Sequence, residues 1–344
     1  MRNNYVVSVL NFLLVALILV ISVSSILAAH PETIVTPDWI YSLQQFHAKK
    51  ITARPATYKN KRFVILETGW GKISEAKDYQ AGHMPGAIYL NTDECENGYP
   101  RWHLKSVNEL QNVIGSLGIT PDTTVIVSGK QTIAAARIWW ILNYAGVSDV
   151  RILDGGFAAW QAAGFASETK INTPQATTFR AQPRLHWLAT TAYVQEHLDK
   201  VWLADTRSAA EFRGEISGYD YLQQRGRIPG AIAIGDADDK ALLYQTADGK
   251  FLPPADIATR WQKAGIISAK SGDPFTREVI FYCGSGWRSS LTFLYAYVLG
   301  YKNIRNFSDG WSGWSTTHTQ DANEKGITPG WRQTASGRPI ATGN

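Results

Sequence analysis

Residues 279–300 read VIFYCGSGWRSSLTFLYAYVLG, and this stretch decides the fold. Its first four residues are β-branched or aromatic and make a buried strand. Cys283 ends that run, and Gly284, Ser285, Gly286, Trp287 and Arg288 follow directly. From Ser289 onward, Leu291, Phe293, Leu294, Tyr297 and Val298 recur at roughly helical spacing, with Gly300 as a stop. The order is strand, tight glycine-containing loop, helix. A cysteine at that junction meets free backbone N–H groups and the positive end of a helix dipole. Glycines let the loop curl its amides inward as an anion-binding nest. The placement predicts a nucleophilic thiol with a lowered pKa, and Arg288 adds a permanent positive charge beside it.

The same order of elements occurs twice. In the first half, strand-like segments at 62–67, 125–128 and 150–153 alternate with helical ones at 106–118, 133–144 and 157–163. In the second half, strands at 201–205 and 279–282 flank a helix at 257–265. Gly82-His83-Met84-Pro85-Gly86-Ala87-Ile88 returns as Gly226-Arg227-Ile228-Pro229-Gly230-Ala231-Ile232. Residues 144–153 align without gaps on 298–307, at an offset of 154. The fold class that follows is α/β, with two tandem domains, each a mainly parallel sheet with helices on both faces. The domains are placed at 36–168 and 185–318, joined by a polar linker at 169–184 and followed by a tail at 319–344. The stretch before residue 60 reads as irregular. At the offset of 154, Cys283 corresponds to Gly129 and Arg288 to Ala134, so the first copy has no thiol in its loop.

The chain has 344 residues, 44% hydrophobic, which is long enough for two full cores. Its net charge of +5 is diffuse, which suits small anionic substrates and, without a basic run, excludes a nucleic-acid reader. Residues 1–29 carry Arg2, an apolar run and then small residues, the pattern of a secretory signal peptide. Cleavage near Ala28 or Ala29 would release a periplasmic protein. Retention of the run would instead anchor the domains at the inner membrane, facing the same compartment. Cys95 and Cys283 are the only two cysteines and fall in different halves, so Cys95 reads as a bystander thiol.

Cys283–Arg288 resembles the active-site loop of rhodaneses, the thiosulfate and 3-mercaptopyruvate sulfurtransferases. Related phosphatases and arsenate reductases have one more residue between Cys and Arg, room for a tetrahedral oxyanion; the shorter loop here suits a single sulfur atom. The resemblance extends over residues 36–316, through both Pro-Gly-Ala turns, Asp154-Gly155-Gly156-Phe157 and Asp205-Thr206-Arg207-Ser208. It matches the tandem pattern of an inactive first domain and an active second one. Ser308-Asp309-Gly310-Trp311 departs from the usual Asp-Gly-Gly-Trp turn and reads as structural.

The resemblance implies double displacement. Cys283 takes a sulfane sulfur as a persulfide, and a thiol, a thiol protein or cyanide removes it. The amides of Gly284 to Arg288 would stabilise the sulfur anion, with Arg288 holding a leaving sulfite or tying the loop together. Asp205 is expected to fix the loop or cap a helix. Arg213 and Arg227 either line the mouth or stay solvated. No cofactor is expected, and no metal, because His83 and His103 lack a partner at ligand spacing. Trp70, Trp102, Trp139 and Trp140 read as core or interdomain packing. Thiosulfate is the favoured donor, because Arg288 departs from the mercaptopyruvate-type loop; 3-mercaptopyruvate is the alternative. A non-catalytic persulfide carrier or sensor binding a protein partner is the rival of another class.

Overall fold

The computed structural model describes residues 30–98, 102–235, 243–266, 277–320 and 331–343. The segment 1–29, read as an export signal, lies outside them. No helix among the described residues is long and apolar enough to cross a membrane.

Two five-stranded parallel sheets form the frame. The first comprises β1 (Ile34–Val35), β2 (Arg62–Gly69), β3 (Ile88–Asn91), β6 (Thr123–Gly129) and β7 (Asp149–Leu153), in the order β1-β7-β6-β2-β3. Between β3 and β6 lies a small antiparallel ribbon of β4 (Glu96–Asn97) and β5 (His103–Leu104). The second sheet comprises β8 (Leu188–Ala189), β9 (Trp202–Asp205), β10 (Ile232–Ala233), β11 (Val279–Tyr282) and β12 (Ile304–Phe307). Read from β8, its order is β8-β12-β11-β9-β10, the first sheet repeated. The central strands β6 and β11 are buried along their whole length, as expected of strands covered on both faces.

Each central strand runs into a helix. After β6 comes the helix Thr132–Tyr144, and after β11 comes the helix Trp287–Val298. The first is buried on every side, because one face covers its own sheet and another meets the second helix. Trp140 stands edge-on to Phe293 at 6.3 Å, and Trp139 lies 5.3 Å from Tyr297.

A polar clamp sits inside this apolar contact. Arg137 bonds Glu96 at 2.7–2.8 Å, with both side chains fully buried. The same guanidinium donates across the domain boundary to Ser308 Oγ at 2.7 Å and Gly286 O at 3.4 Å. Glu96 accepts from Trp287 Nε1 at 3.1 Å. Burial pushes the Glu96 carboxyl up, even against the Arg137 charge.

Three expectations change. The stretch before residue 60 holds the helix Pro37–His47, because Thr36 caps Trp39 N at 3.2 Å and Pro37 opens the first turn. The linker has no regular structure but is packed: Thr177 N bonds Gly115 O at 2.8 Å, and Phe179 is fully buried. The tail is structured too. β13 (Thr316–Gln320) pairs antiparallel with β14 (Trp331–Ala335), and Ala341 bridges Arg227.

Arg137→Ala leaves Glu96 buried without its counter-charge. We expect a loss of about 3–5 kcal/mol by urea unfolding; a loss below about 1 kcal/mol would show that the clamp is not a stabilising contact.

Candidate active site

Cys283 directly follows β11, the middle strand of the second sheet, at the carboxyl end where open α/β sheets place their ligands. Its side chain is fully buried. The loop after it is held from behind. Trp311 N donates to Cys283 O at 2.7 Å, and Ser312 N donates to Gly284 O at 2.9 Å. Both donors belong to the short helix Gly310–Ser315. Among the described residues, the amides of Gly284, Ser285, Gly286 and Trp287 donate to no backbone carbonyl. Gly286 has a left-handed φ of 87°, and a Cβ there would stand 2.6 Å from Ser308 O.

Ser289 reaches Cys283 Sγ at 3.6 Å and Asn306 Oδ1 at 2.7 Å. Asn306 is oriented by its Nδ2, which faces Ser290 Oγ at 2.9 Å and Gly286 O at 3.3 Å. Its Oδ1 accepts from the Ser289 hydroxyl, which can also turn to donate to the Cys283 sulfur.

Arg288 is 5% exposed and turned inward, where it gives Glu211 a bidentate pair at 2.8 Å to each oxygen. It also donates to Tyr219 Oη at 2.6 Å. Glu211 stands in a capping box, with Ser208 N on its carboxylate at 3.0 Å. Burial alone would raise Glu211, but the Arg288 and Arg207 guanidinium groups and the Ser208 amide hold it below the usual carboxylate range. The Tyr219 ring lies over the loop, so that a Cβ on Gly284 would meet it at 2.0 Å. Burial raises the Tyr219 phenol.

In front of the loop, between the two domains, opens a cleft of about 350 Å³. Its walls include Trp70, Trp102, Tyr219, Tyr221, Ser285 and Arg288. Trp70 stacks on Trp287 at 4.8 Å.

The structure brings Cys283, Gly284, Ser285, Gly286, Trp287 and Arg288 together as one loop. Asp205 lies beneath it, accepting from Tyr282 Oη at 2.6 Å and from Arg207 at 2.7 Å. It is no helix cap; Ser208 fills that role. Arg213 and Arg227 do not line the cleft. Arg213 pairs with Glu215 at 2.6 Å, and Arg227 donates to Phe212 O at 3.2 Å and Gly343 O at 2.6 Å, fastening the end of the chain. The segment that carries these arginines contributes its tyrosines instead. Trp70 and Trp102 line the cleft, and Trp70 also packs between the domains against Trp287; Trp139 and Trp140 are core. Cys95 is buried, and burial pushes its thiol up to about 12.

The rhodanese-like domain family matches residues 48–163 and 190–317. The chain belongs to that family. It is 37% identical over 295 residues to the thiosulfate sulfurtransferase YnjE of Escherichia coli (strain K12), covering 83% of this chain and 64% of that one. This rhodanese thus spans just under two thirds of that relative. A probable 3-mercaptopyruvate sulfurtransferase of Pseudomonas aeruginosa is 31% identical over 265 residues, covering 74% of this chain and 87% of that one. Among solved structures, an anaerobic ergothioneine biosynthesis enzyme from Chlorobium limicola, in complex with trimethyl histidine, superposes with a TM-score of 0.75. Its identity is 28%, over 91% of this chain and 70% of that one.

Two outcomes test the site. Glu211 binds protons less readily folded than unfolded, so its stabilisation is full above the ordinary carboxylate pKa and fades as pH falls below it. Glu211→Gln should cost about 3 kcal/mol at pH 7 and flatten the acid limb of the stability profile; an unchanged acid limb would place its cause elsewhere. Tyr219→Ala should uncover the loop and speed iodoacetamide alkylation of Cys283 severalfold by mass spectrometry, with Cys95 unmodified. An unchanged rate would mean that Tyr219 does not cover the sulfur.

Proposed function

We propose that this rhodanese is a sulfurtransferase that loads the sulfane sulfur of thiosulfate onto Cys283 and passes it to a thiol or to cyanide. The reading is carried by the loop itself: the Cys283 and Gly284 carbonyls are bonded from behind, and the amides of residues 284–287 have no backbone acceptor among the described residues, which leaves them free to bind a sulfur anion. The Cys283 thiolate attacks the outer sulfur of thiosulfate. The sulfur–sulfur bond of the donor breaks, and sulfite leaves with the electron pair. Cyanide or a thiolate then attacks the outer persulfide sulfur, giving thiocyanate or a new persulfide and restoring the Cys283 thiolate. Fixed amide dipoles stabilise the anion at each stage without reorganising. Arg288 holds the loop through Glu211 and Tyr219 rather than standing free as a substrate clamp. On the reading of residues 1–29 as an export signal, the reaction takes place in the periplasm.

The cleft favours a second reading of the acceptor. Trp70, Trp102, Tyr219 and Tyr221 offer aromatic faces that thiosulfate does not need. Such walls suit a quaternary ammonium group, and the Chlorobium limicola enzyme structure is a complex with trimethyl histidine. In this reading a betaine of that kind takes the sulfur.

The test is intact mass before and after thiosulfate, then after cyanide or trimethyl histidine. We expect a gain of one sulfur atom, removed by cyanide and absent in Cys283→Ser. A gain with 3-mercaptopyruvate alone would change the donor. No gain with either donor would overturn the transferase reading. Removal by trimethyl histidine, with that compound gaining the sulfur, would establish the second reading.

A further inference from the structure

The two copies treat one buried carboxylate differently. In the second copy, Asp205 ends its strand beside Tyr282 of β11. It is neutralised within the chain, by Arg207 at 2.7 Å and the Tyr282 hydroxyl at 2.6 Å. In the first copy, Glu67 stands beside Ser128 of β6 in the same register. Two residues on, where the second copy has Arg207, the first has Gly69. The acid is kept, one methylene longer, but Gly69 and Ser128 stand where the second copy has Arg207 and Tyr282, so the counter-charge is gone.

Glu67 is 8% exposed, and its Oε2 has no hydrogen-bond partner among the described residues; the same is true of Ser128 Oγ. Burial pushes the Glu67 carboxyl up to about 7. A buried carboxylate without a counter-charge is costly, and in the second copy a guanidinium removes that cost. Glu67 faces two adjoining hollows of about 290 and 530 Å³. Gly69 lines the smaller, and a Cβ placed there would press on Tyr89 at 3.1 Å, so that ring must give way to any side chain. Tyr79 lines both. Lys130 also lines both, but its ammonium is held at 3.0 Å by Asp78, with both side chains largely exposed. The larger hollow is closed by the second domain, whose Gly249 O accepts from Thr132 Oγ1 at 3.2 Å.

We propose that these hollows bind a small guanidinium compound, whose planar cation meets Glu67 as Arg207 meets Asp205. A carboxylate presents two coplanar acceptors, which match the guanidinium fork better than a point-charge ammonium. The partly exposed Tyr89 ring gives such a plane a face to stack on, while Tyr79 is stacked on His83 and closes the wall. A metal ion is the poorer fit, because no group of three ligating side chains lies among the described residues. The site is separate from Cys283 and does not depend on the sulfur chemistry.

The experiment is calorimetric titration of the full chain with methylguanidine, against methylammonium. Wild type and Cys283→Ser should bind methylguanidine alike and more tightly than methylammonium. Glu67→Gln should weaken binding about tenfold or more, the cost of losing one charge-assisted contact. Gly69→Arg supplies a tethered guanidinium once Tyr89 yields, so it should abolish binding. No saturable binding to wild type overturns the proposal. So does undiminished affinity in Glu67→Gln or in Gly69→Arg, or a preference for methylammonium.

Discussion

The buried pair of Arg137 and Glu96 is the contact on which the site depends. Both residues belong to the first domain, whose own loop has no cysteine, yet their remaining hydrogen bonds go to Gly286, Trp287 and Ser308 around the Cys283 loop. Ion pairs this deep gain little over apolar packing, because desolvation takes back most of the attraction. What they supply is position. Gly286 O and the Trp287 indole can each face only one way once Glu96 and Arg137 are fixed. The first domain therefore acts as one wall of the active site.

Duplication explains why the wall fits. The Thr68 and Thr206 hydroxyls bond equivalent carbonyls of the neighbouring central strands, Ser128 O and Tyr282 O, each at 3.0 Å. Gly156 and Gly310 sit at equivalent turns, where a Cβ would stand 2.7 Å from Gly129 O and 2.4 Å from Cys283 O. These backbone contacts are common to both copies. The copies part at the side chains: Gly129 against Cys283, Gly69 against Arg207, Ser128 against Tyr282. One turn also departs, with Asp309 at φ −74° where Gly155 takes a left-handed 74°. The glycine retained in both copies is the one pressed against the loop.

The sequence carried the local parts of this site and missed the distant ones. Cys283, its glycines and the helix that follows are legible because strand, loop and helix are contiguous. The repeat is legible because equivalent segments keep their spacing. Glu96, Arg137, Tyr219 and Tyr221 were not, since each reaches the loop from another part of the fold and no periodicity marks it. Glu211 left a signal, the Ser-x-x-Glu of a capping box, but its second role as the partner of Arg288 needs the tertiary fold. Arg213 and Arg227 misled for the converse reason: charge near a site in sequence does not point a side chain into it. The helix Pro37–His47 was readable from Thr36 and Pro37 and was obscured by the polar sequence around them.

The charge inventory around Cys283 then assigns the attraction for anions to the backbone. Arg288 and Glu211 lie 2.8 Å apart, so at the sulfur they act as a dipole rather than as a free cation, and a dipole's field falls faster with distance. The unshielded positive ends that remain are the loop amides. That makes the orientation of two peptide groups decisive. If the Cys283 or Gly284 carbonyl turned, an oxygen would replace an N–H near the sulfur and convert attraction into repulsion. Trp311 N and Ser312 N hold those two oxygens at 2.7 and 2.9 Å. They reach them only because residue 310 has no side chain and accepts a left-handed φ of 52°. The nest at one end of β11 is therefore built by the turn behind it, which itself contributes no group to the chemistry.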